Sequence, residues 1–108
     1  MPLGIALGEM IATCKAEFEE KKTDPFCGTV YEARLDMLQY LQKRVLSGAQ
    51  PEELLVELRA RLAELEEAKE GEEISYTFDW YDDHYYYKIY DGQCEACRMV
   101  IDLLESCV

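Results

Sequence analysis

The spacing of apolar residues changes along this 108-residue chain, and the change limits the folds that it can adopt. As far as Leu65, apolar residues recur every three or four positions, which is typical of one face of a helix. From Ile74 they alternate with polar residues, which is typical of one face of a strand. The pattern therefore predicts an α+β protein, mostly helical. We expect a single domain over residues 1–108, since no Pro-, Gly- or Ser-rich linker interrupts the sequence.

Two helices are predicted in the N-terminal half. The first runs from Leu3 to Lys22, with apolar residues on one face. Thr23-Asp24-Pro25 breaks it, and two starts are open for the second helix. Asp24 can cap it with Pro25 in the first turn, or it begins at Thr29, three residues before Glu32, in a capping box. Ser47-Gly48 ends the second helix.

The third predicted helix begins near Pro51 and ends at Gly71. It carries a leucine stripe at three- and four-residue spacing: Leu55, Leu58, Leu62 and Leu65. The stripe fits a face that packs on the first two helices. A seam between two chains is the alternative, although fewer than three heptads is short for a coiled coil. A homodimer through this stripe or through the aromatic hairpin described next is therefore an open prediction.

An antiparallel β-hairpin is predicted after the third helix. Asp82-Asp83 forms the turn, and three aromatic-rich cross-strand pairs share one face. These pairs are Trp80–Tyr85, Phe78–Tyr87 and Tyr76–Ile89. Asp91-Gly92 ends the hairpin, and a last helix begins at Gln93. The predicted order is α-α-α-β-β-α, a three-helix bundle with a hairpin and a C-terminal helix.

Nine acidic side chains and one basic side chain lie between Glu64 and Asp83, a charge of −8 out of −12 for the chain. Such a surface repels nucleic acid and anionic membranes and attracts basic proteins. In a helix that ends at Gly71, the glutamates also lie near a C-terminus that prefers cations. We therefore predict a partner-binding surface. Its residues are Glu64, Glu66, Glu67, Glu70, Glu72, Glu73, Asp79, Tyr81, Asp82, Asp83 and Tyr86.

Five cysteines include one spaced pair, Cys94 and Cys97. In the first turn of the last helix, the helix dipole would lower the pKa of a thiol there. A thiol redox or zinc-binding protein is therefore an alternative function. A thioredoxin-like site lacks its β-α-β context, however, and zinc needs two further ligands. His84 lies about 20 Å along the strand from the pair, so we expect no metal and no cofactor.

No nucleophile–base pair and no Gly-rich phosphate loop can be assembled, so we expect no enzyme and no catalytic residues. The preferred interpretation is a small acidic interaction protein that binds a basic, nucleic-acid-handling protein. By analogy of size and charge alone, small acidic proteins of phages and mobile elements inhibit nucleases, polymerases and CRISPR effectors by mimicking DNA. The alternative is a self-associating helical structural module.

The sequence also predicts where the protein resides. No apolar run approaches the roughly 18–20 residues that cross a bilayer. The N-terminal segment lacks the basic residues that open a signal peptide. We expect a soluble, cytoplasmic protein that contacts neither membrane nor nucleic acid directly.

Overall fold

A computed structural model describes residues 3–24, 27–75 and 85–107, and these ranges contain four helices. The helices are α1 (Leu3–Lys21), α2 (Cys27–Leu46), α3 (Pro51–Ser75) and α4 (Tyr85–Cys107). Within the described ranges no residue belongs to a strand. The predicted α+β class is therefore wrong, and this part of the chain is all-α.

The boundaries of α1 and α2 follow local capping chemistry. The Asp24 carboxylate accepts a hydrogen bond from the backbone N–H of Cys27 at 2.8 Å, so Asp24 is the N-cap of α2. The alternative start is wrong, because Thr29 lies inside the helix. At the other end Gly48 adopts a φ of 102°, which places it in the left-handed region. Gly48 and Ala49 donate to the carbonyls of Val45 and Arg44 and close the helix, as predicted.

The third helix is longer than the sequence predicts. It begins at Pro51 as expected but continues through Gly71 to Ser75. An exposed glycine inside a helix costs only about 1 kcal/mol relative to alanine. That cost is too small to stop a helix whose leucines upstream are firmly packed.

The predicted second strand of the hairpin is wrong, because residues 85–91 form the first two turns of α4. Tyrosine favours strands only weakly, and packing regularly overrides that preference. The predicted first strand lies mainly at residues 76–80, and those positions and the predicted turn are outside the described residues. Ile74, its first position, belongs to α3.

Helix α4 is the central element, with α2 and α3 packed against it and α1 packed mainly on α2. Ion pairs from Arg59 to Glu105 and from Lys69 to Asp91 show that α3 and α4 are antiparallel. By contrast α2 and α4 run parallel, and they approach closely at Gly92. A Cβ atom added there would clash with the carbonyl oxygen of Val30. Glycine at position 92 thus lets two helix backbones meet.

The leucine stripe of α3 is packed inside the chain. Leu58 and Leu65 are 1% and 3% exposed, and Leu62 is partly buried against the same core. This is the intrachain packing face that the sequence predicts, and a two-chain seam on these residues would require the core to open. The core also contains Leu7, Ile11, Cys14, Leu35, Leu38, Leu41, Leu54, Leu55, Cys94, Ala96, Cys97, Val100, Ile101 and Leu104.

The four helices differ from membrane spans in composition. In the ranges that the structure describes, none of them combines a bilayer-spanning length with a sufficiently apolar stretch.

Candidate functional site

The acidic surface predicted from the sequence lies partly on the outer side of α3. Glu64, Glu67 and Glu70 are all exposed, and their three-residue spacing places neighbours about 5–6 Å apart on the helix surface. Glu64 lies 3.6 Å from Arg61 in an exposed pair, which contributes little to stability. Glu67 and Glu70 form no ion pair with a residue in the described ranges. They are therefore open to a partner.

Glu66 has a different environment from its neighbours. It faces α4, where its carboxylate accepts a hydrogen bond from Arg98 at 2.8 Å. Two further α3–α4 pairs, Lys69–Asp91 at 3.0 Å and Arg59–Glu105 at 2.9 Å, continue the row. The hydrogen bond to Asp91 raises the pKa of Lys69, so the cation is held in its charged form. Glu66 is thus part of the α3–α4 contact as well as of the acidic surface.

The remaining predicted binding residues divide into three groups. Glu72 and Glu73 lie in the last turn of α3, which carries no basic residue. Tyr86 lies in the first turn of α4 and is 56% exposed. Four predicted residues fall outside the described residues: Asp79, Tyr81, Asp82 and Asp83.

The C-terminus of α3 lies at Ser75, four residues beyond the predicted end at Gly71. The dipole acts mainly within the last turn. Because α3 ends at Ser75, Glu64 and Glu67 lie two turns or more before that end, and their predicted unfavourable position is wrong. Glu72 and Glu73 lie near the end of α3, where the helix dipole favours cations over anions. Some acidic charge at this end of α3 is still placed against helix stability.

A groove between α2 and α3 adjoins the acidic surface. It is open to solvent on one side and has a volume of about 440 Å³. Leu41 and Leu58 lie at its floor and are each only 1% exposed, whereas Tyr40 at its edge is 51% exposed. The other lining residues are Asp36, Met37, Glu57, Arg61 and Gln93.

The groove continues along α2 into a shallower depression of about 160 Å³. Asp36 and Gln93 line both parts, and Thr29, Glu32, Ala33 and Ile89 complete the second part. Glu32 and Asp36 are exposed, and neither forms an ion pair with a residue that the structure describes. The groove therefore has an apolar floor and an acidic edge on α2.

The predicted location of the cysteine pair is wrong. Cys94 and Cys97 lie more than two turns inside α4, away from the helix N-terminus, and both are fully buried. Burial raises the pKa of the Cys94 thiol and raises that of Cys97 to about 11. Because the thiolate is the reactive form, the physical reason for expecting a redox site at this pair is lost. Burial raises the pKa of Cys14 as well.

Metal-ligating side chains are dispersed in the structure. Over residues 3–24, 27–75 and 85–107, no three His, Cys, Asp or Glu side chains lie close enough to hold one ion. Cys27 is partly buried and forms no disulfide.

A charged cluster that the sequence did not reveal joins α1, α2 and α4. The Arg34 side chain, 11% exposed, contacts Glu17 at 3.0 Å and Glu95 at 3.3 Å. Its guanidinium also lies 4.5 Å from the centre of the Tyr31 ring. Burial is the largest single effect and would lower the pKa of Arg34, but the hydrogen bond to Glu17 and the attraction of nearby acidic groups together outweigh it, so the pKa is raised. The cluster is a structural clamp, since it holds three helices together.

Comparison with protein-family models, with curated proteins and with solved structures found no match for this chain.

Proposed function

We propose that this chain is a non-catalytic interaction protein that binds a basic protein through the acidic outer side of α3. The observation that carries the proposal is the exposed pair Glu67 and Glu70, whose carboxylates have no ion-pair partner among the described residues. Exposed single-sign charge steers an oppositely charged partner and raises the association rate.

The composition of α3 supports the proposal. The helix carries nine glutamates against three basic residues, so half of the net charge of the chain belongs to this one element. Two of those basic residues, Arg59 and Lys69, pair with acidic residues of α4, and the third pairs weakly with Glu64. Basic neighbours therefore neutralise little of the outer side of the helix.

A protein that handles nucleic acid is the proposed class of partner. Such proteins present rows of Lys and Arg that contact phosphates along a groove. Carboxylates repeated about 5–6 Å apart along a helix offer a comparable row of negative charge. Binding of this chain would cover those Lys and Arg residues of the partner and compete with the nucleic acid for them.

The test starts from proteins captured by the immobilised chain from a nuclease-treated extract of its host. A captured protein is purified, and its association rate is measured at several salt concentrations with the wild-type chain and with an E67Q/E70Q variant. We expect the variant to associate more slowly and with a flatter salt dependence. A duplex DNA competitor should displace the wild-type chain.

The matched control is E19Q/E20Q, which removes the same charge from two exposed residues at the end of α1. It should associate nearly as fast as the wild type. Equal slowing by both variants would mean that net charge alone drives binding. An unchanged rate for E67Q/E70Q in low salt would remove the outer side of α3 from the interface.

A further inference from the structure

We infer that the groove between α2 and α3 is the docking site for an amphipathic, basic helical segment of the partner. The inference rests on the proposed function, because it takes the partner to be basic. It adds the part of the partner that is bound and the surface that binds it.

The shape of the groove fits one face of a helix. A volume of about 440 Å³ is in the range of small-ligand pockets, too small for a whole helix but sufficient for its apolar side chains. From Thr29 to Tyr40 the lining spans twelve residues of α2, a rise of about 17 Å at 1.5 Å per residue. That length matches about three turns of a bound helix, a common mode of peptide recognition.

The groove exists because of how the helices pack. Gly92 brings α4 close to α2, while α3 packs on another side of α4. The backbones of α2 and α3 do not approach each other closely along their described lengths. Met37 is therefore only partly buried between the two helices, and Tyr40 is half exposed. These two side chains present apolar surface to solvent above the buried leucines of the floor.

The charges around the groove favour a basic occupant. Glu32 and Asp36 are one helical turn apart on α2 and face the groove together. The lining contains three acidic residues, Glu32, Asp36 and Glu57, against one basic residue, Arg61. Arg44, near the groove, lies 2.8 Å from Glu57. A segment with leucine-like anchors on one face and Lys or Arg beside them would satisfy both the floor and the edge.

A second groove, between α1 and α4, provides an internal comparison. It has a volume of about 370 Å³ and is lined by Ala6, Glu9, Met10, Thr13, Met99 and Leu103. It is comparable in size and apolar, but Glu9 is its single charged lining residue. An apolar ligand without charge would enter either groove, whereas a basic amphipathic helix should prefer the first.

Methionine methyl NMR distinguishes the two grooves in the intact chain. Met37 lines the first groove, and Met10 and Met99 line the second. The probe is a 14-residue Lys/Leu peptide with its leucines on one helical face, titrated into protein labelled at the methionine methyl carbons. We expect a saturable shift of the Met37 signal, with the Met10 and Met99 signals unmoved. A peptide of the same composition with its leucines scattered is the control.

Two protein variants complete the experiment. E32Q/D36N should weaken the Lys/Leu peptide by roughly three- to tenfold, because it removes two exposed ion pairs. E67Q/E70Q should retain the Met37 shift with less than a threefold change in affinity, since those residues face away from the groove. Loss of partner association in E67Q/E70Q with the Met37 shift intact would support both proposals.

Several outcomes would overturn the inference. These are an unmoved Met37 signal, an equal effect of the scattered peptide, and a response of Met10 and Met99 in place of Met37. If the Met37 signal shifts with protein concentration in the absence of peptide, the groove is a contact between two copies of this chain and not a peptide site. If E67Q/E70Q binds the natural partner as well as the wild type does, the proposed function fails, and the peptide result stands on its own.

Discussion

Replacing Gly92 with alanine tests the close approach of α2 and α4 directly. The new Cβ would lie 2.9 Å from the Ala33 Cβ and 3.0 Å from the Arg34 backbone nitrogen, and it would clash with the Val30 carbonyl oxygen. Two of these atoms belong to the α2 backbone, which cannot rotate aside as a side chain can. The two helices must therefore move apart along their contact.

The size of the effect follows from two opposing terms. Overpacking a close contact costs about 1–3 kcal/mol, and contacts to backbone belong at the upper end. Alanine recovers about 1 kcal/mol of helix propensity relative to glycine. We expect G92A to lower the free energy of unfolding by about 2 kcal/mol. For a domain of this size the melting temperature should fall by roughly 10 °C.

Thermal and urea unfolding, followed by circular dichroism, measure this change. G71A is the matched control, because it makes the same substitution in an exposed helical position. Apart from the adjacent backbone of its own helix, no atom of the described residues lies within 4 Å of the new Cβ. G71A should stabilise the chain by about 0.5–1 kcal/mol. If G92A is as stable as the wild type, or shifts in the same direction as G71A, the described crossing of α2 and α4 is wrong.

Two further predictions concern buried polar groups. Arg34→Met keeps most of the side-chain volume but leaves Glu17 and Glu95 without their cation. Because both carboxylates remain partly hydrated, the free energy of unfolding, measured in urea, should fall by about 1–3 kcal/mol. An R34M chain as stable as the wild type would contradict the clamp. Burial raises the pKa of the folded Cys97 thiol from its ordinary value of 9.0 to about 11, so the unfolded chain binds fewer protons between these values and stability falls as pH rises. From pH 9 to 11 the fall due to Cys97 should be about 2 kcal/mol, and an unchanged slope in C97A would contradict it.

Local sequence patterns were sufficient for α1, α2 and the packed face of α3. Apolar spacing located each helix, Asp24 and Gly48 marked the boundaries of α2, and Pro51 marked the start of α3. These features depend on neighbours within a few positions, which a sequence displays directly. The continuation of α3 past Gly71 was missed because an exposed glycine is permitted inside a helix at modest cost.

The N-terminal half of α4 was missed because its tyrosines fit two periods. Tyr85, Tyr87 and Ile89 alternate as in a strand, but Tyr90, Cys94, Cys97, Ile101 and Leu104 keep helical spacing, and that series begins before Gly92. Asp91-Gly92 locally predicts a chain break between a strand and a helix. In the structure Gly92 lets the backbone of α2 approach closely. The contacting residues lie about 60 positions earlier in the chain, so no local pattern shows this role.

Composition predicts the acidic surface, but it does not predict which of the glutamates pair with α4 and which face solvent. The sequence does not show that Glu66 faces Arg98 while Glu67 and Glu70 face solvent. The groove and the Arg34 clamp depend on how separate helices pack, so no single segment predicts them. The expected partner, the absence of catalysis and the single domain stay predictions.

The central place of α4 also has a consequence for the order in which the chain can fold. Helix α4 follows the other three in the sequence, yet it supplies much of their shared core, through contacts such as Arg34–Glu95 that span 61 positions. During synthesis α2 can pack on α1, but the leucines of α3 have no described helix to cover them until α4 leaves the ribosome. Closing such long loops slows folding and prolongs the exposure of apolar surface. We therefore expect α1 and α2 to pair early and the core to close late, when α4 arrives.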